Sequence, residues 1–413
     1  MNGAGTSLLR LFSIKEIFRR KISLVTFLLF LDARLAWLEI QKGNRVTDRN
    51  TYENFAPAAD ARAFKDQAHE ARTTLSNIFA ESTLDQVRQG SFERAQFGNE
   101  IQVRPGESIQ RAIDSAQPGT IIHLAEGVYR EKLDIKRDGI TIRGTGKAVI
   151  DMGDKPLNGP VINISGRKDI TVDGLEIRNV KGGDTPMAIR VDGASSNIKI
   201  INNDIHGIKS SSNAHGIAVF GNRAQALRDV LIQNNRVHNL KLGQSEAVVL
   251  NGNVEGFKIL GNQIFDNDNI GIDIIGGEGV GRKGIDSARK GLIANNLVAN
   301  IDTRKNPTYT RMSAAGIYVD GGRDITIRDN VVKNSNYGIE LASERKGWAT
   351  KDIRVHGNRI ENSHLAAISL GGGSAGNGGV RDSRVENNTL IGNKRIWKQH
   401  NVHNVKIGDN QTF

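Results

Sequence analysis

The sequence predicts an all-β fold, a single-stranded parallel β-helix: a solenoid of about 9–11 coils with a capping helix at its N-terminal end. Two phrases that recur out of phase with one another, and one amphipathic segment ahead of them, predict it. The first phrase reads IKIINNDIHG, VLIQNNRVHN, FKILGNQIFD, LIANNLVAN, ITIRDNVVKN, IRVHGNRIEN, SRVENNTLIG and VKIGDNQTF. Its shared asparagines are Asn203, Asn235, Asn262, Asn296, Asn330, Asn358, Asn388 and Asn410, spaced 22 to 34 residues apart. A period in that range marks a repeat array, and apolar residues alternating with polar ones make each unit strands, not helices. The asparagines are expected in left-handed turns between strands, where Asn tolerates positive φ and its amide can bond along the stack.

The second phrase reads MAIRVDG, HGIAVFG, AVVLNG, IGIDIIG, AGIYVDG, YGIELAS and AAISLGG. Its anchors, Ile189, Ile217, Val248, Ile272, Ile317, Ile339 and Ile368, should stack inside the coil, since no single repeat can bury its apolar face alone. Ahead of the array, the segment around ESIQRAIDSA predicts a helix from about Glu107 to Ala116. Ile109, Ala112 and Ile113 form its apolar stripe, suited to covering the first coil's open end. This opening, with the repeats through Asn410, resembles the right-handed parallel β-helix proteins of the pectin-lyase-like superfamily over residues 101–413. The resemblance implies a right-handed coil and a carbohydrate-active protein: a polysaccharide lyase, glycoside hydrolase, epimerase, tailspike or periplasmic accessory protein. The paired-aspartate signature of polygalacturonase-like hydrolases and the DPH motif of mannuronan epimerases are absent; Asp273-Ile274-Ile275 stands where the latter would fall.

Composition agrees with the repeat reading. Glycine is high at 46 of 413 residues and aromatics are only 5%, which favours many turns over thick helices. Zero cysteines exclude disulfide scaffolds, thiolate catalysis and cysteine-ligated metals. The net charge of +11 suggests an anionic partner. Nucleic acid is disfavoured, because the basic residues are scattered among acids and aromatics are too few for a stacking platform.

Arg19 and Arg20 precede the apolar run Ile22 to Leu31, so residues 1–38 read as a secretory signal or membrane anchor. Residues 39–98 read as a helical or partly disordered stalk, and residues 99–413 as the β-helix. The protein is therefore expected outside the cytoplasm, periplasmic, secreted or at the cell surface.

Alternation turns the residue after each anchor outward, giving the column Arg190, Ala218, Val249, Asp273, Tyr318, Glu340, Ser369. Two residues further on runs Asp192, Phe220, Asn251, Ile275, Asp320, Ala342. The residue before each anchor is always Gly or Ala, which predicts a shallow channel. The longest interval between anchors, Ile272 to Ile317, holds two insertions expected to wall this face with Lys283, Arg289 and Arg311; Trp348 follows as a candidate sugar platform.

Three carboxylates around a tyrosine suit an acidic polysaccharide cleaved by β-elimination, which needs a base, an acid and charge neutralisation. In that reading Asp273, Tyr318, Glu340 and Lys283 are catalytic, and Asn251, Arg289, Arg311 and Trp348 bind substrate. Asp320 and Glu246 help ligate Ca²⁺, the one cofactor considered. The alternatives are a glycoside hydrolase or C5-epimerase on the same scaffold, or a non-catalytic polysaccharide-binding or periplasmic accessory protein. His215 reads as a surface or turn histidine, and Arg190 with Asp192 as an ordinary surface pair.

Overall fold

The structure, a computed structural model, describes residues 99–413 apart from Asp154, Lys155, Thr310 and Lys394. The expected signal or anchor and the stalk lie outside the described residues. Every strand pairing between coils is parallel, and the chain winds through three long sheets of 12, 11 and 10 strands. In one coil, Ser196–Ile201 lies in the first sheet, Asp204–Lys209 in the second and His215–Gly221 in the third. The third is called the site sheet below. Ile198, Ile200, Ile205, Ile208, Ile217 and Val219 of that coil are fully buried, each worth roughly 1.5–3 kcal/mol relative to exposure.

All seven expected anchors are fully buried, and they fall opposite one another rung by rung, from Ile189 against Ile217 to Ile339 against Ile368. The helix spans Ile109–Ser115, with the Ser108 side chain accepting a hydrogen bond from the Arg111 amide. Its buried stripe of Ile109, Ala112 and Ile113 joins the main core, so the end of the coil is covered as the sequence implied.

The asparagines differ from expectation in one respect. Asn203 through Asn388 are buried, and each from Asn235 to Asn410 accepts, through its side-chain oxygen, from both the backbone and side-chain amides of the preceding asparagine, at 2.9–3.1 Å. Its own amide also donates to a core-strand carbonyl, as Asn296 does to Ile259. The left-handed φ belongs to the residue immediately before, such as Asn202, Asn234, Asn295, Asp329 and Asn387. That residue makes the corner, leaving the ladder asparagine free to point inward.

The expected channel of small residues is also corrected. Ala188, Ala247 and Ala367 belong to the main core, and a Cβ on Gly316 or Gly338 would meet Val332 or Ile360 of the second sheet at 2.5 Å. Chain entering the site sheet thus turns two successive residues inward, and the first must be small because the second sheet bends in against it. The residue ahead of this pair is thrown outward instead, which brings Met187, His215, Glu246, Ala315 and Tyr337 onto the site face.

Replacing a ladder asparagine leaves buried backbone and side-chain donors of its neighbour unpaired. Asn296→Leu is expected to lower stability by on the order of 3 kcal/mol, read as a lower denaturation midpoint in urea.

Candidate functional site

The outward column is continuous. Asp134, Asn163, Arg190, Ala218, Val249, Asp273, Tyr318, Glu340, Ser369 and Trp397 lie opposite one another on ten successive rungs. Asp273, Tyr318 and Glu340 are therefore neighbours, each about 4.8 Å from the next along the solenoid. These side chains stand apart from the interior: Tyr318 packs with Ala315 and Ala342 in a small cluster separate from the main core. They are not, however, the open surface the alternation implied. Asp273 is 2% exposed, Asp320 5% and Tyr318 6%.

Two long loops rise beside this floor, one at each edge of the site sheet. Between Ile272–Ile275 and Arg289–Ala294, the chain turns around Asp286, whose buried carboxylate accepts the amides of Gly279 and Gly281 at 2.6 Å. Between Leu297–Ile301 and Ala315–Asp320, the loop is anchored by Asn336, whose side-chain oxygen accepts from Thr303, Ser313 and Ala314. Its Asn306 amide reaches back to the Gly243 carbonyl at 2.8 Å. A third segment, Ser343 to Ala349, ties to the first through Arg345 and Glu278 at 2.8 Å, and its Glu344 amide donates to Asp320 Oδ1 at 2.9 Å.

The result is a cluster of six acids: Glu246, Asp273, Glu278, Asp320, Glu340 and Glu344. Burial and the neighbouring charges push five of these carboxyls up, those of Glu246, Asp273, Asp320, Glu340 and Glu344. Burial, with Glu278, Asp320 and Glu344 nearby, raises Glu246 to about 8. Burial, with the charges of Glu344 and Asp320, raises Glu340 to about 8 despite a 3.1 Å hydrogen bond from the Ser369 hydroxyl. Asp320 reaches about 7, burial and the Glu344 and Glu278 charges outweighing the Glu344 amide and Arg345. Asp273 is raised well above the usual carboxylate range by burial and by Glu246. Burial thus favours the protonated form across the floor, with the Glu344 amide and the Arg345 charge acting the other way at Asp320.

Basic residues do not neutralise this cluster as the sequence implied. Arg289 is engaged on the neighbouring sheet, with Glu255 and Asn253 both at 2.9 Å. Lys283 is exposed on its loop, and exposed Arg311 has its charge felt at Tyr337. Trp348 is built into the cover. Its indole donates to the Gly321 carbonyl at 3.0 Å, the Arg323 guanidinium lies 4.2 Å from its ring centre, and Gly277 is packed so close that a Cβ would meet the ring at 2.6 Å. Tyr318, raised well above its ordinary value by burial and the Asp320 charge, is a poor base. Among the described residues no group of three or more His, Asp or Glu side chains converges as a metal site.

Sequence reasoning placed His215 on the surface. It is 6% exposed on the site sheet, with Nδ1 3.2 Å from the Glu246 carbonyl oxygen and 3.5 Å from its carboxylate, and burial lowers it to about 4. The small residue before each anchor was the available signal, since it marks the inward kink that turns positions 215 and 246 outward. Tyr309 was also passed over; the Glu246 and Glu344 charges bear on it, putting its loop beside the acids.

Four of the eight buried polar atoms lacking a hydrogen-bond partner among the described residues lie along this face: Arg190 Nε, Asp192 Oδ1, Asn251 Oδ1 and Asp273 Oδ1. Each such atom costs about 1–3 kcal/mol unless a ligand or water completes it, and native folds rarely concentrate several in one line.

A family profile described as a right handed beta helix region matches residues 129–287. The chain is 40% identical over 307 residues to the Bacillus subtilis (strain 168) protein YwoF, itself described only as uncharacterized. The match takes in 70% of this chain and 65% of YwoF, just under two thirds of the relative's length. Among solved structures it resembles an alginate lyase from Paenibacillus sp. str. FPU-7 (TM-score 0.51, 17% identity, 76% of this chain and 99% of that one). It also resembles a GH136 lacto-N-biosidase from Eubacterium ramulus (TM-score 0.53, 14% identity, 85% of this chain and 74% of that one). At these identities the likeness is one of fold.

The shifted acids make a pH prediction. A carboxyl whose pKa is raised on folding contributes stability that is fully present below its unfolded value and is lost as pH rises through the folded one. Between pH 5 and 9 the wild-type protein should therefore lose thermal stability relative to Glu340→Gln, whose amide does not titrate, the gap opening from about pH 5 and levelling off above about pH 8. Parallel curves across that range would remove the shift.

Proposed function

We propose that this chain, which has the right-handed parallel β-helix fold, is a carbohydrate-active protein that hydrolyses a glycan laid along the site sheet. The observation that carries the reading is the placing of buried carboxyls on adjacent rungs: Glu340 and Asp273 on either side of Asp320's rung, offset from it by two positions, with Asp320 the one that accepts the Glu344 amide. Backbones so related are about 8 Å apart, and side chains running parallel from them would hold the carboxyls within the roughly 6.5–9.5 Å that lets a water enter between an acid and a base.

In this reading Glu340, a carboxylic acid below about pH 8, donates its proton to the glycosidic oxygen as the C–O bond breaks. Asp320, held by the Glu344 amide, takes a proton from the water whose oxygen bonds to the sugar carbon. Glu340 ends ionised and Asp320 protonated, and solvent exchange restores both. Asp273 and Glu246, also protonated, serve as hydrogen-bond donors to sugar hydroxyls.

The electrostatics favour hydrolysis over the β-elimination suggested by the sequence. Elimination beside a uronate carboxylate needs positive charge at the reacting centre and a competent base. Arg289 is engaged with Glu255 and Asn253, and burial holds Tyr318 in its protonated form. Export to the periplasm, the cell surface or the medium belongs to the same proposal, supported by the basic residues ahead of the Ile22 to Leu31 run.

The test is a product assay across neutral and acidic polysaccharides. Expected are new reducing ends without the ultraviolet chromophore of an unsaturated sugar, insensitive to chelator. Glu340→Gln and Asp320→Asn should each lower the rate by roughly 10²–10⁴-fold. An unsaturated product suppressed by chelator would restore calcium-assisted lyase chemistry, and retention of polysaccharide with no product would leave a binding protein.

A further inference from the structure

Beyond the acids, the site sheet continues toward the N-terminal end of the solenoid with no carboxyl cluster and a different set of side chains. Asp192, Phe220 and Asn251 lie opposite one another on three consecutive rungs, about 10 Å from first to last. Asn251 occupies the rung adjoining Asp273. Arg190 stands in the next column, its Nη2 bonded to Asp192 Oδ2 at 2.5 Å.

This is not the surface ion pair its spacing suggests. Asp192 is 7% exposed and Asn251 6%, yet Arg190 Nε, Asp192 Oδ1 and Asn251 Oδ1 are all without hydrogen-bond partners among the described residues. Between them the half-buried Phe220 ring has the His215 ring edge-on at 5.9 Å and the Arg190 guanidinium 5.8 Å from its centre. One free donor, two free acceptors and an aromatic ring are thus fixed on one strip of rigid sheet.

We infer that Arg190, Asp192, Phe220 and Asn251 form a second sugar-binding subsite, which takes an uncharged unit of the same glycan whose reacting bond lies over Asp320 and Glu340. The inference rests on the proposed function for its continuity with the cleavage site. The charge balance selects the ligand. Arg190 and Asp192 cancel one another, Phe220 and Asn251 carry no charge, and His215, facing the ring, is held neutral at pH 7 by burial. An anionic sugar would find Arg190 already engaged and Asp192 repelling it. A neutral pyranose offers hydroxyls that can donate to Asp192 Oδ1 and Asn251 Oδ1 and accept from Arg190 Nε. Its C–H face can lie on Phe220, as sugars commonly do on aromatic rings. A chain running along the solenoid from this strip reaches Asp273 one rung beyond Asn251.

The experiment is calorimetric titration of the full-length Glu340→Gln protein with trisaccharides and hexasaccharides of cello-, xylo- and manno-series, and with tri- and hexagalacturonate as charged probes. For at least one neutral series the hexasaccharide should bind tenfold or more tighter than the trisaccharide. Asn251→Ala or Phe220→Ala, added to that background, should bring the ratio to near one. Phe220→Leu keeps the side-chain bulk if the alanine variant fails to fold. A ratio that survives both substitutions overturns the subsite even if cleavage occurs as proposed. A ratio that depends on Asn251 and Phe220 upholds it even if no cleavage is found. Equal binding of short and long neutral chains, or a length gain only for galacturonate, also overturns it.

Discussion

Register is the constraint on which the rest depends, and the buried asparagine ladder is the interaction that holds it. Each ladder asparagine satisfies two donors of the one before and is satisfied in turn by the next. A slip of a single residue would strand several buried polar groups at once and reverse every side chain between core and surface. The ladder spans eight asparagines in the coils that carry the acids. With the corner between the first and second sheets fixed, the third sheet inherits its alignment, and residues distant in sequence line up within one rung of each other.

That alignment also concentrates charge. Six acidic side chains within a few rungs would repel one another severely if all were ionised beneath the loops, and the molecule relieves this by retaining protons. Burial raises the carboxyls of Asp273 and Asp320 alike, and only Asp320 has the Glu344 amide and Arg345 acting to lower it. Arg345 is meanwhile bound to Glu278, so it moderates the cluster without cancelling it.

Much of this was legible in the sequence. The anchors, the coil period, the capping stripe of Ile109, Ala112 and Ile113, and the adjacency of residues 273, 318 and 340 all follow from periodicity, because parallel pairing converts sequence phase directly into spatial columns. What periodicity could not give was any departure from strict alternation. The inward pair at each entry to the site sheet hid His215, and the ladder asparagines proved to be neighbours of the left-handed residues. Nor could it foresee where long loop side chains would settle. Arg289 found Glu255 and Trp348 found Gly277 and Gly321, since an insertion's path is set by contacts made outside the repeat.

Coil length varies at two corners of the triangle and scarcely at the third. The turn between the first and second sheets is the same tight bend in coil after coil, whereas the joints on either side of the site sheet range from a few residues to the long loops that carry Asp286 and Asn306. Sequence can therefore be added or removed along both banks of the site sheet without disturbing the hydrogen-bonded spine opposite. A solenoid built this way separates the part that must be invariant for the chain to fold from the part that shapes what it recognises. Whole turns could be spliced in to lengthen the site sheet by a fixed increment, leaving the rungs of Asp320 and Glu340 untouched.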